Sequence, residues 1–424
     1  MAAKQNSLAV AGGGQMSQDP RWISSSILHA DEWAKGTAEN LFDGTAWRRF
    51  IQRLSRLSQR ISSSEIPQTH DRAEGYRYVA MLLRNGLDMA IEDYDPDRPK
   101  FVWRTRRSKF GWDCADALYG SAVVRGGATY RITGKRGSVH FLGFQLMAGI
   151  KTLHNTHADE LAIGSDGTFE IILSPKRHPG NWVPLPPEAD GFFVRQFFYD
   201  WDNESLASLW IERIDDGNRG NPTGVMDPAA FAKRLDAVAG NAEANVDLWL
   251  NVALAQRKHY LNKFPDVPFG STHIGGQKHQ TAGTCYFKVA DDEALLVEVK
   301  PPKAKYWSLH LGNIWLESLD YANHQSSLNG HQARLDSDGL FRAVVSKRDP
   351  GVPNWLDTVG RSEGTIIYRW NLADGTPVPA TRLVKFSQLR KRLPSETPRV
   401  KATARAELIE RRRQHVLRRF ARLF

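Results

Sequence analysis

The feature that most constrains this chain is an internal repeat. Ser165-Asp166-Gly167-Thr168-Phe169, followed by the run Glu170–Ser174, matches Ser337-Asp338-Gly339-Leu340-Phe341 followed by Arg342–Ser346. Pro179-Gly180-Asn181-Trp182 matches Pro350-Gly351 and Asn354-Trp355 with Val352-Pro353 interposed, and Phe193-Val194-Arg195 matches Ile367-Tyr368-Arg369. The separation stays between 171 and 174 residues throughout, and such a near-constant shift marks a duplicated structural unit. In each copy Asp-Gly supplies a turn, the alternating run a strand, the Pro-Gly and Asn-Trp pair a second turn, and a strand ending in Arg closes the unit. Upstream, Tyr130–Thr133 and Val139–Gln145 pair with Leu295–Glu298 and Tyr306–Asn313, which predicts about four strands per copy. A sheet with one apolar face must cover it, by packing on its twin as a sandwich or by closing as a barrel. The expected fold is mainly β with helical additions (α+β): two duplicated antiparallel sheet units in which residues 120–200 and 285–375 share one strand arrangement, Asn181 over Asn354 and Arg195 over Arg369.

Helical spacing frames these units. Residues 21–62 and 71–93 read as two amphipathic helices, with Trp47, Phe50, Ile51, Leu54 and Leu57 on one stripe. Asp227–Phe264 has few turn residues and a helical apolar pattern from Phe231 to Leu254, so it reads as an insertion between the copies. The resulting organisation is a helical region over 1–100, a first β unit over 101–225, a helical insertion over 226–265, a second β unit over 266–380 and a basic tail over 381–424.

At Tyr306-Trp307-Ser308-Leu309, at Trp315-Leu316-Glu317-Ser318-Leu319-Asp320-Tyr321, and above all at Asp349-Pro350-Gly351-Val352-Pro353-Asn354-Trp355-Leu356-Asp357-Thr358, the chain resembles a bacterial family called domain of unknown function 1214. The resemblance is clearest over about residues 280–375, with Tyr130-Arg131-Ile132-Thr133-Gly134 and Asn181-Trp182 resembling the amino-terminal companion region. It implies a β-sandwich-type architecture in a bacterial protein. It implies no reaction and assigns no catalytic residue.

The familiar catalytic signatures are missing: the sequence has no GxSxG elbow, HExxH pair, Walker loop or GxGxxG after a strand. Candidate chemistry gathers where His310, Asp320, Tyr321 and His324 leave one strand and enter a loop, because histidine moves protons near neutral pH and a neighbouring Asp or Tyr can fix its tautomer. The same groups suit a plainer role, satisfying loop backbone. His310, His324 and His331 lack the close spacing of a metal site, and no metal or cofactor is expected. Trp307, Asn313, Trp315, Asn354, Trp355 and Arg369 are the candidate ligand-binding residues; Asn181, Trp182 and Arg195 repeat three of them, which also fits a folding role. An apolar or cyclic small molecule is the expected ligand, with catabolism as the setting, and a non-enzymatic binding or scaffold module is the alternative.

The formal charge of +10 is concentrated after residue 381, where fourteen Lys and Arg stand against three Glu. That distribution argues against nucleic acid for the body of the protein. Ala402–Phe424 reads as a helix whose apolar residues dock on the body or a partner while Arg411, Arg412, Arg413, Arg418 and Arg419 face solvent or an anionic surface. Two distant cysteines, Cys114 and Cys285, and the lack of an apolar leader or a long apolar run point to a cytoplasmic protein without a membrane span.

Overall fold

The computed structural model describes residues 37–92, 95–106, 108–149, 151–216, 227–270 and 276–421. The start of the first expected helix, residues 21–36, and Arg422 and Leu423 in the tail lie outside the described residues.

Each copy contains nine strands in two sheets. In the first unit, β1 (Val102–Trp103), β2 (Ala117–Val123), β8 (Gly191–Phe197), β4 (Phe141–Ala148) and β5 (Lys151–His157) form one sheet in that order. Strands β7 (Trp182–Pro184), β6 (Thr168–Ser174), β3 (Tyr130–Lys135) and β9 (Ser208–Arg213) form the other. The second unit repeats both orders, with β10 (Phe269–Gly270), β11 (Gln280–Lys288), β17 (Glu363–Ala373), β13 (Ala304–Gly312) and β14 (Ser327–Asn329) in the larger sheet. Its smaller sheet runs β16 (Trp355–Asp357), β15 (Phe341–Ser346), β12 (Glu293–Val299), β18 (Ala380–Lys385). The two copies therefore share one topology, strand for strand. Alternation along β8 sends Phe192, Val194 and Gln196 into the core between the sheets and Phe193, Arg195 and Phe197 to the opposite face.

Two expectations are corrected. The copies have nine strands rather than about four and do not close as barrels, and the sheets are mixed, since β6 pairs β7, and β15 pairs β16, in parallel. Parallel pairing follows from the Asn lock: Asn181 Nδ2 donates to the carbonyls of Ala162 and Glu170 at 2.9 and 2.8 Å, and Asn354 Nδ2 to those of Arg334 and Arg342 at 2.7 and 3.0 Å. The returning chain is thereby fixed beside the strand it has just left. Asn354→Ala is expected to lower the unfolding free energy by about 1–3 kcal/mol, the cost of stranding buried polar groups. The more exposed Asn181→Ala should cost less, as urea titration of both variants will show.

The second copy carries an insertion of its own. Tyr130 faces Leu173 across β3 and β6, and Leu295 faces Val345 across β12 and β15. The shift between copies thus rises from 165 to 172 residues, and the seven added residues fall between β13 and β14. They form the loop holding Trp315, Asp320, Tyr321 and His324.

Helices α1 (Ala38–Phe42), α2 (Thr45–Ile61) and α3 (Thr69–Leu87) pack with α4 (Pro228–His259), which follows the first unit and lies against β11. Asp227 caps α4 by accepting from the Ala229 and Ala230 amides, with Pro228 in its first turn. Arginines of α2 meet acids of α4, as in Arg53–Glu243 at 2.7 Å and Arg49–Asp236 at 3.3 Å. Trp315 enters beneath α3, where Gly75 has no side chain; a Cβ there would lie 2.4 Å from the Trp315 ring.

The tail forms α5 (Ala402–Ala421), but its docking face differs from the expected one. Arg405, Arg412 and Arg419, each two turns apart, are buried, while Arg411, Arg413 and Arg418 are exposed and Leu417 is 54% exposed. The reason is carbonyl chemistry. Arg405 donates to the Val352 carbonyl (2.6 Å) and Gln325 Oε1 (2.6 Å), Arg412 to the Tyr321 carbonyl (3.1 Å), and Arg419 to the Ala115 carbonyl (2.7 Å). Their guanidinium planes also lie over Trp355, Trp201 and Phe198. The tail thus fastens the first unit to the second. No helix among the described residues is long and apolar enough to cross a membrane.

Candidate functional site

The two larger sheets meet around Asp116, which accepts from Tyr306 Oη (2.6 Å), Trp201 Nε1 (2.8 Å) and Asn329 Nδ2 (2.9 Å). Burial raises the Asp116 pKa, opposed by the Tyr306 hydrogen bond and the Arg419 charge. Beside this junction lies a cavity of about 90 Å3 whose walls come from both units and from α4. Phe110, Trp112, Tyr119, Phe197 and Trp249 supply rings, and Arg195 and Arg369 supply charge. Trp249 crosses close to Gly111, where a Cβ would meet its ring at 2.1 Å, so only glycine fits that wall.

The two arginines occupy corresponding ladder positions. Arg195 sits in β8 between Tyr119 of β2 and Gly143 of β4; Arg369 sits in β17 between Ala282 of β11 and Ser308 of β13. Arg369 is held from behind, its Nη2 donating to the Trp112 and Asp113 carbonyls at 2.5 and 3.0 Å and its Nη1 lying 3.1 Å from His310 Nδ1. Trp112 has a left-handed φ of 68° and donates its amide to the carbonyl of Leu316, itself at φ 55°. Non-glycine residues held in that region cost about 1–3 kcal/mol each, and such strain clusters at functional sites. Arg195 lies over the ring of Phe193 at 4.8 Å and near that of Tyr119 at 5.9 Å. Burial pushes its pKa down to about 10, with Tyr119 opposing and the Arg369 charge adding to the effect. Both guanidiniums stay charged at neutral pH, and no carboxylate is among the described lining residues.

The sequence candidates do not converge on one point. His310 and Arg369 touch. His324 pairs with Asp357, Nδ1 to Oδ2 at 2.7 Å, at a partly exposed place on the second unit. Asp320 caps its own turn, accepting from the Ala322 and Asn323 amides, and Tyr321 is buried against Trp201. Asn313 braces the inserted loop through the Trp315 and Glu317 amides. Trp307 packs on Phe341 and Trp370 inside the second sandwich, Trp315 is buried under α3, and Trp355 donates to the Ser346 carbonyl. Asn354 is the turn lock described above. No group of three metal-ligating side chains occurs among the described residues.

Sequence reasoning passed over Tyr119, Trp112, Trp249 and Arg195 as site residues. The available signal was the arginine shared by the two copies, flanked on its own face by Phe193 and Phe197 in the first strand and by Ile367 and Asn371 in the second.

A larger concavity, of about 790 Å3, opens on the outer face of the β7-β6-β3-β9 sheet beside the exposed Trp210. It is a broad groove open to water, and its Asn181 is already committed to the turn lock. On the smaller sheet of the second unit, the 3-10 segment Phe386–Arg392 places Leu389 against Ala294, Leu296 and Val344.

A family model described as protein of unknown function (DUF1214) matches residues 143–201 and 275–372, one stretch in each duplicated unit. A crystal structure of an uncharacterised protein from Burkholderia cenocepacia is 35% identical, with a TM-score of 0.78, covering 83% of this chain and 99% of that one. The chain belongs to DUF1214. Both matched stretches of DUF1214 end close to the cavity strands, the first spanning β4 to β8 and the second β11 to most of β17, so Arg195 and Arg369 lie inside the family region. A structure from Vibrio parahaemolyticus is 12% identical, with a TM-score of 0.44, covering 73% of this chain and 97% of that one. No curated protein matches this sequence.

Proposed function

We propose that this DUF1214 protein is a cytoplasmic small-molecule-binding protein, serving catabolism as an accessory component, with an apolar or cyclic ligand seated between its two duplicated units. The observation that carries this reading is the cavity walled by Phe110, Tyr119, Phe197 and Trp249 at the place where the units meet. Ligand sites favour such junctions and combine rings with a few fixed polar groups. The buried free thiols Cys114 and Cys285 support a reducing compartment.

Binding fits the surroundings better than covalent catalysis. Burial raises the pKa of the Cys114 thiol, against the charge of Arg369, and of the Tyr119 phenol, joined there by Cys114. Both groups stay protonated, and a protonated thiol is a poor nucleophile.

The test is a thermal-shift series with butyrate, benzoate, butyramide, benzamide and cyclohexanol on the wild type and on Ala282→Leu, which fills the cavity from β11. A ligand at a hundredfold over its Kd stabilises by about 2.7 kcal/mol. At least one compound should raise the wild-type Tm by a few degrees and lose that effect in a folded Ala282→Leu protein. If no compound moves the Tm, or the shift survives the filling, this reading is wrong.

A further inference from the structure

We infer that the ligand of this cavity is a small neutral carbonyl compound, a ketone or ester, whose oxygen accepts a hydrogen bond from the Tyr119 hydroxyl. The inference rests on the reading of the cavity as a ligand site and names the chemistry that the site selects.

The polar groups of the wall decide it. Arg369 is spent on the Trp112 and Asp113 carbonyls and on His310, and Arg195, Gln280 and Trp112 carry interactions of their own. The Gly276 carbonyl accepts from Gln145 and Thr152, and the Gly111 amide donates to Tyr78. Tyr119 and Trp249 remain. Both line the cavity and are only 7% exposed, yet neither the phenol oxygen nor the indole nitrogen makes a hydrogen bond to a described residue. Buried Tyr and Trp normally find a partner for these groups. An indole N–H only donates, and burial, joined by Cys114, keeps the Tyr119 phenol protonated and able to donate. The wall therefore lacks an acceptor. A carbonyl oxygen supplies one without adding donors of its own, whereas the N–H groups of an amide or an amine would find the Gly276 carbonyl already taken.

Divergence between the copies makes the space. Tyr119 of β2 stands opposite Arg195, and the corresponding place opposite Arg369 in β11 is Ala282, which also lines the cavity. One copy thus supplies the phenol and the other, with a side chain of one carbon, leaves room beside it. The rest of the wall is largely aromatic, which suits an apolar body behind the carbonyl group. The volume of about 90 Å3 limits that body to a short chain or one small ring. For scale, an engineered cavity of roughly 150 Å3 holds benzene.

The experiment is calorimetric titration of the full chain with cyclopentanone and butanone, with methylenecyclopentane, in which a methylene group replaces the oxygen, and with cyclopentylamine, which only donates at neutral pH. In Tyr119→Phe, which keeps the ring, affinity for both ketones should fall at least about fivefold, the net worth of one hydrogen bond, while that for methylenecyclopentane does not fall. The control Tyr76→Phe, on the amino-terminal helices, should change neither. Infrared spectroscopy of the wild-type complex needs no variant, so the inference stays testable if Tyr119→Phe fails to fold: the carbonyl stretch of bound cyclopentanone should lie at lower frequency than in cyclohexane, where nothing donates to it. A stretch unchanged from that in cyclohexane, or ketone affinity that survives in Tyr119→Phe, overturns the assignment of the oxygen to Tyr119 while leaving the cavity as a ligand site. Cyclopentylamine binding as tightly as cyclopentanone, or methylenecyclopentane binding where neither ketone does, overturns the carbonyl class. Failure of the ketones, the hydrocarbon and the amine alike to bind overturns the ligand site itself.

Discussion

Replacing Trp315 by alanine is expected to lower the unfolding free energy by about 3–5 kcal/mol, the range for removing a large buried aromatic side chain. The indole is fully buried, lies 6.2 Å from the Tyr78 ring, and donates from Nε1 to the Asp71 carbonyl at 2.9 Å. Its loss opens a void under α3 and removes that hydrogen bond. The surrounding ions make collapse of the void costly: Glu317 is buried and paired with Arg77, and Arg361 reaches Asp71 and Glu74 from the second unit. Urea titration followed by near-ultraviolet circular dichroism measures the loss, and limited proteolysis should show earlier cutting in α2 and α3. Trp315→Phe, which keeps most of the ring volume, should lose clearly less. A cost below about 1 kcal/mol for the alanine variant would mean that the inserted loop does not anchor the amino-terminal helices.

The repeat was legible because turn chemistry is written in particular side chains. Asn181 and Asn354 lock the same return, and Gly167 and Gly339, at φ 85° and 77°, turn the same hairpin. Strand number was not legible, since β9 and β18 hold equivalent places with little in common: Ser208–Arg213 reads SLWIER and Ala380–Lys385 reads ATRLVK. Those edge strands are specified by what they pair with rather than by a pattern of their own. The tail misled for a related reason. Helical phase puts Arg405, Arg412 and Arg419 on one face, but a hydropathy argument sends that face to water. The backbone carbonyls that draw it inward belong to segments far away in sequence, from Val352 and Tyr321 in the second unit to Ala115 in the first. Arg369 could be named from sequence and Arg195 set aside as its structural twin, because ladder position shows that two residues are equivalent. Whether they meet depends on how the two sandwiches pack, and neither period nor spacing carries that information.

Acid should destabilise the protein through buried neutral histidines, and His310→Gln should remove one share of that effect. His310 is almost fully buried in β13; burial, then the charges of Arg369 and Lys109, hold its pKa well below the ordinary value. His415 on α5 is pushed down to about 2 by burial and by Arg419. An unfolded chain protonates these rings near pH 6.5 while the native state refuses the proton, so the unfolded state binds more protons as pH falls. Their contribution is fully present above that pH and declines below it, by roughly 2 kcal/mol per histidine at pH 5. Asp116 and Glu317, raised by burial, act with the opposite sign, but they are present in both proteins and cancel in a comparison. The substitution has a precedent in the chain itself, for the register of β4 and β13 places Gln145 where the second unit has His310. At pH 8, His310→Gln should be less stable than the wild type because the Arg369 contact is rebuilt imperfectly. By pH 5 that gap should narrow by about 2 kcal/mol, and it reverses sign only if the glutamine recovers the hydrogen bond to Arg369. Urea titrations at pH 8, 6.5 and 5 measure it; a gap that stays constant would show that His310 takes up a proton as readily in the native state as in the unfolded chain.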